Sequence, residues 1–235
     1  MHDDIKGFNW MKYMWITCAA IPVAILVFNY CIFEEIIPQW FFDQYIVLTY
    51  ASPNPISMFL SNYAHATGIH MLENLMSYVI TIASIVIVAV IAIPYTNKKT
   101  PGMECVFGTK TLVECTCIFF LLVPFLIAMV SIIAGNYLGI EGGLGFSGVV
   151  FAFEGYLVYI AEIIIIRKIQ IILHRRDKML IYFGVALSMV IPLSFVVGQL
   201  LTMYMNPTVH ANYFAHTAGF IAGITIPFLL ERRDR

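Results

Sequence analysis

The chain has 235 residues, 60% of them hydrophobic and only 11% charged, with 13 basic and 14 acidic side chains and a net charge of −1. An ordinary soluble domain carries roughly a quarter charged residues, so this chain lacks the charge that a water-facing surface of its size requires. Disorder, coiled coil and nucleic-acid binding are excluded, the last because near-zero net charge offers no electrostatic footprint for phosphate; a membrane protein remains.

Apolar runs bounded by charge or by Pro/Gly clusters predict helices near 13–33, 63–95, 112–134, 146–166, 179–200 and 211–230. A spanning helix takes ~20 residues, so six spans leave too little chain for a separate soluble domain. The runs are too long for strands and do not alternate polar with apolar residues. Helices also satisfy their own backbone groups in lipid, which an open sheet cannot. The expected fold is all-α: one six-helix membrane domain over 1–235. The second run exceeds the bilayer, which predicts projection into water or tilt. The first run is of spanning length and follows Asp3 and Asp4, so a cleaved signal peptide is not expected.

Orientation follows from the basic residues. Lys6 and Lys12 precede the first span, and Lys98, Lys99 and Lys110 lie between the second and third. Arg167, Lys168, Arg175, Arg176 and Lys178 lie between the fourth and fifth, and Arg232, Arg233 and Arg235 close the chain. Segments 34–62, 135–145 and 201–210 hold none. All basic residues thus fall on one side, which the positive-inside rule makes cytoplasmic. The expectation is a multi-pass cell-membrane protein with both termini in the cytoplasm. The five cysteines (Cys18, Cys31, Cys105, Cys115, Cys117) read as packing residues, since Cys115-Thr-Cys117 lacks the spacing and partners of a zinc site. No internal repeat points to an inverted-repeat transporter.

Polar groups inside a span are costly and are candidates for function. Three clusters stand at the outer ends of helices that enter from outside. In the second span His70 and Asn74 share a helix face, about 40° apart, while His65 lies ~140° round from His70 and is expected to cap or brace the helix mouth. The pair serves either interhelical hydrogen bonding or as two donors aimed at one point. At the start of the fourth span, Gly142-Gly143-Leu144-Gly145-Phe146-Ser147-Gly148 lets backbone approach closely and leaves free N–H groups at a helix N-terminus. Tight packing is the plain alternative. Gly143-x-Gly145-x-x-Gly148 spells a dinucleotide fingerprint, but no strand precedes it. In the sixth span, Gly219 and Gly223 form a stripe for close helix packing, with His216 on nearly the same face.

A serine, a histidine on a close-packed helix and a His/Asn donor pair at one depth are the parts of acyl transfer. Ser147 would be nucleophile and His216 general base, with His70, Asn74 and the Ser147 N–H holding the oxyanion.

With these residues in place, the sequence resembles the rhomboid intramembrane serine proteases. The resemblance rests on His65-x4-His70-x3-Asn74, Gly145-Phe146-Ser147-Gly148 and Ala215-His216-x2-Gly219-x3-Gly223, in that family's order on second, fourth and sixth helices. It implies a Ser147–His216 dyad, an oxyanion and substrate-binding site at His70, Asn74 and Gly145, and no metal or other cofactor. It implies single-span membrane proteins as substrates, reaching the site from lipid past the fifth helix and the loop carrying Met203, Tyr204 and Met205. Two departures stand out. Phe151 occupies the position where many rhomboids have a Tyr that packs on the catalytic histidine, so the ring contact is kept and the hydroxyl lost, implying lower activity. The Trp-Arg pair often found in the first outer loop is missing, although Trp40-Phe41-Phe42 can rest that loop in the interface.

Glu73 is expected near the cavity mouth. Glu154, about two turns below Ser147, is either a structural polar lock to a neighbouring helix or a tuner of cavity water. No His-Glu-x-x-His occurs, which speaks against a metalloprotease. The competing functions are a catalytically weak or inactive relative that binds membrane proteins, and a small proton-coupled transporter using His70, Glu154 and His216.

Overall fold

The structure, a computed structural model, describes residues 10–96, 109–172 and 210–233. These are mostly helical. Among them four stretches are long and apolar enough to cross a membrane: Lys12–Phe33, Gly68–Ala89, Ser147–Ile165 and Tyr213–Arg233. A bent pair, Lys110–Leu121 with Val123–Leu138, makes a fifth if counted as one span. The predicted fifth run, 179–200, lies outside the described residues, as do Met203, Tyr204 and Met205.

The predicted first run joins α1 (Trp10–Trp15) to α2 (Ile21–Phe33) through a π-helical turn at Ile16–Ala20. Pro22 explains the turn: it cannot donate, so the ladder ahead of it widens and the Ile21 N–H reaches back to the Ile16 carbonyl. The following loop carries a short helical segment, α3 (Gln39–Phe41), and α4 (Pro55–Leu60). Asn54 caps α4, its side chain accepting from the Ile56 and Ser57 N–H groups at 3.0 and 2.9 Å.

The predicted second run is α5 (Gly68–Thr96). It begins five residues later than the predicted 63, because Asn62, Tyr63 and His65 are drawn into tertiary hydrogen bonds instead of the first helical turn. The predicted straight third helix, 112–134, is corrected to two: α6 (Thr109–Leu121) and α7 (Val123–Leu138), bent by 42°. Pro124 is the cause. It leaves the Phe120 carbonyl without its helical donor, and the Tyr63 hydroxyl donates to that carbonyl instead. Gly139, at φ 70°, closes α7 in the left-handed conformation that glycine adopts freely.

The loops also break the expectation of helix alone. Strand β1 (Leu48–Thr49) pairs antiparallel with β2 (Gly142–Gly143), Leu48 opposite Gly143. Two residues are too short to show alternation in sequence. A Cβ at Gly142 would meet the Leu48 carbonyl, so glycine is what lets the loop come this close.

The predicted fourth run is α8 (Ser147–Ile172) and the predicted sixth is α9 (His210–Arg233), both longer than predicted at their C-terminal ends. They run parallel in close backbone contact. Gly219 faces Gly148 and Ala152, and Gly223 faces Ala152 and Gly155; a Cβ on either would overlap a carbonyl of α8. In lipid, where apolar burial gives helices no special attraction, such approach is a main source of association. Between α5, α6 and α8 the core is aromatic, with Tyr78, Phe119, Phe146, Phe153 and Tyr156 almost fully buried and in edge contacts such as Phe119–Phe153 at 5.1 Å.

The contacts also fix which ends adjoin. Tyr13 bonds to Thr116 at 2.8 Å, and Arg233 Nη2 donates to Glu114 at 2.9 Å with Lys110 at 3.8 Å from the same carboxylate. The starts of α1 and α6 and the end of α9 therefore share one basic end. The starts of α5, α8 and α9 gather at the opposite one.

Candidate active site

Ser147 opens α8 and His216 lies in the second turn of α9. The glycine contact at Gly148–Gly219 sets the spacing of these two helices one residue from the serine. His216 Nε2 lies 2.9 Å from Ser147 Oγ, a hydrogen-bonding distance at which the imidazole can take the hydroxyl proton. The Phe151 ring lies one turn below Ser147, its centroid 4.2 Å from that of His216 at 42°, and Tyr213 presents an edge at 6.1 Å. The histidine is thus held between aromatic surfaces.

Gly145 supplies the backbone beside the serine. Its φ of 145° is a conformation that disfavours any side chain, and its N–H donates to the Ser61 carbonyl at 2.9 Å. A Cβ built there would stand 3.7 Å from Ser147 Oγ and 3.8 Å from His70 Nε2. Ser147 and His70 therefore flank the same glycine. Asn74, one turn further along α5, places Nδ2 at 3.4 Å from His70 Nε2. The structure accordingly brings Ser147, His216, Phe151, Gly145, His70 and Asn74 into one cluster. A small cavity of about 30 Å³ adjoins Ser147, lined by Leu48, Tyr50, Ala128, Ser131, Gly143 and Gly145; that is room for little more than a water.

Glu73 is at the mouth, its carboxylate 3.9 Å from His70 Nδ1 and largely exposed. Glu154 accepts from Ser77 Oγ at 3.3 Å across the α5–α8 contact. Among the described residues no three of His, Cys, Asp and Glu converge as metal ligands.

Sequence reasoning misplaced one residue and missed another. His65, expected to cap or brace the helix mouth, does bond to α5 but is not on the helix wheel. It precedes α5, is 1% exposed, and bonds to Asn29, Asn74 and the Phe146 N–H at 3.3, 3.1 and 3.4 Å. Burial, with the His70 ring alongside, pushes its imidazole down to about 4, so it is neutral at ordinary pH. Asn29 was not singled out, though one amide in the apolar run 21–33 is the kind of costly group that marks a site. No protein-family model matches the chain, and no curated protein does.

Proposed function

We propose that the chain is an intramembrane serine endopeptidase of the rhomboid type, cleaving single-span membrane proteins with Ser147 as nucleophile and His216 as general base. The observation that carries this reading is the 2.9 Å contact between Ser147 Oγ and His216 Nε2 on helices locked together by glycine. In the mechanism, Ser147 Oγ attacks the scissile carbonyl as His216 takes its proton. The tetrahedral oxyanion draws on the Ser147 N–H at the open end of α8, on His70 and on Asn74. His216 then protonates the leaving amine, and a water activated by the same imidazole releases the acyl group.

The Phe151 ring contact helps to hold the imidazole towards Ser147 by packing. Substrate backbone would reach Ser147 beside Gly145, where the absence of a side chain leaves an approach. The same reading takes six spans with both termini in the cytoplasm. The basic end formed by Lys12, Lys110, Arg232 and Arg233 supports it by the positive-inside rule, and the site then opens on the opposite side of the membrane. The test is incubation of the purified protein with a single-span substrate in lipid. Two fragments are expected from wild type and none from Ser147→Ala or His216→Ala; cleavage by Ser147→Ala refutes the assignment.

A further inference from the structure

We propose that His65 is a positioning residue for this site: a neutral imidazole whose one tautomer ties the Asn74 amide and the Gly145–Phe146 peptide to a single ring nitrogen. The inference rests on the peptidase reading and goes beyond it, since His65 touches neither the nucleophile nor the base.

The tautomer follows from Asn29. This side chain is buried on α2, and its amide nitrogen donates to two carbonyls, that of Ile25 at 2.8 Å and that of Tyr63 at 2.9 Å. Both amide hydrogens are thereby used. The oxygen is the atom that faces His65 Nδ1, at 3.3 Å. An amide oxygen only accepts, so Nδ1 carries the ring proton. Nε2 is then a bare acceptor, and two donors converge on it: Asn74 Nδ2 at 3.1 Å and the Phe146 N–H at 3.4 Å. A proton on Nε2 would set three hydrogens against one another in a site closed to water, where unpaired donors are expensive.

The two donors come from different parts of the fold. Asn74 belongs to α5, whereas the Phe146 N–H belongs to the peptide that carries Gly145 into α8. Because the Gly145 N–H is held by Ser61 at 2.9 Å, the residue beside the nucleophile is anchored through its own amide and through the next. With one Asn74 hydrogen on His65, the other is left on the side of His70, Gly145 and Ser147, where the oxyanion would form. One ring nitrogen thus sets the register between the α5 donors and the serine, and Asn29 ties that ring to the first span.

Two measurements test this. In nitrogen-15 histidine NMR of the detergent-solubilised protein at pH 7, His65, assigned by its loss in His65→Gln, is expected with Nδ1 protonated and Nε2 bare. Protonation at Nε2 overturns the proposal, and needs no active enzyme to be seen. In cleavage assays, His65→Phe keeps a ring but removes the acceptor, and kcat should fall about tenfold to hundredfold with KM within about twofold, as misplacement of a preorganised donor would produce. His65→Gln, whose amide oxygen can reach the place of Nε2, should recover most of that loss. Wild-type kcat in His65→Phe, or a folded His65→Gln no better than His65→Phe, overturns the proposal. Cleavage that survives Ser147→Ala defeats the peptidase reading, whereas cleavage that needs Ser147 but ignores His65→Phe defeats the positioning role alone.

Discussion

Gly219→Ala is the smallest change that should separate Ser147 from His216. A methyl group there would overlap the Gly148 carbonyl and stand 3.4 Å from the Ala152 nitrogen. Both obstacles are backbone, so no side chain can turn aside. Restoring an ordinary C···O contact of ~3.3 Å requires α8 and α9 to part by on the order of 1 Å. His216 is less than one turn before Gly219, and Ser147 adjoins Gly148. The present 2.9 Å contact between His216 and Ser147 would open to roughly 4 Å, beyond hydrogen-bond reach. A misplacement of that size costs about a hundredfold in rate, and the forced packing costs roughly 1–3 kcal/mol of stability. The assay is kcat/KM on a single-span substrate, with thermal unfolding measured in the same detergent. Gly68→Ala is the control, because a methyl group there meets nothing closer than Phe33 Cε2 at 4.0 Å, and it should leave both quantities near wild type. Wild-type cleavage together with wild-type stability in Gly219→Ala would refute the reasoning.

Three further outcomes are expected. Phe151→Ala removes the ring 4.2 Å from His216; a ring contact of ~0.5–1.5 kcal/mol predicts a fall in kcat of up to about tenfold, Phe151→Tyr should match or exceed wild type, and an unchanged kcat in Phe151→Ala would count against orientation by packing. His65 predicts a pH dependence of stability. Its folded pKa of about 4 lies below the ordinary 6.5, so on acidification the unfolded chain takes the proton first. The His65 contribution is complete above pH 6.5 and drains away between pH 6.5 and 4, by about 3 kcal/mol. Unfolding titrations at pH 7 and pH 4.5 should differ less in His65→Gln than in wild type, and an equal difference would contradict burial of a neutral ring. Glu154→Gln keeps an oxygen for the Ser77 hydroxyl and should leave stability and the pH profile of cleavage alone, whereas Glu154→Leu should cost about 1 kcal/mol. A pH profile displaced by Glu154→Gln would make Glu154 part of the cavity's proton chemistry rather than a lock between helices.

The residues of the candidate site were legible because lipid makes such residue types expensive. His70, Asn74, Ser147 and His216 announce themselves against an apolar background, and Gly219 and Gly223 announce that His216 faces a close neighbour. The identity of that neighbour was not legible from the stripe alone; Gly148, Ala152 and Gly155 complete it only when α8 is set beside α9. Local rules also misled where tertiary bonds compete with the helix. His65 fits the helical spacing of the second run, yet its ring bonds hold the chain out of the first turn. Pro124 was visible inside the third run, but whether a proline bends a span or is tolerated depends on who satisfies the freed carbonyl, and here that is Tyr63, some sixty residues away. The β1–β2 pair was invisible for a simpler reason: it follows from the closeness that Gly142 permits, not from any alternation. Asn29 was overlooked although its cost in an apolar helix was plain, because its three partners lie on other segments or in its own backbone.

Activation of Ser147 by His216 is open to a direct chemical reading that needs no knowledge of the substrate. A fluorophosphonate probe added to the lipid-reconstituted protein, followed by peptide mapping, should label Ser147 in wild type. Labelling should be lost in Ser147→Ala and fall to background in His216→Ala, where the hydroxyl keeps its place but has no base 2.9 Å away. Equal labelling of wild type and His216→Ala, or labelling at a site other than Ser147, would contradict the dyad.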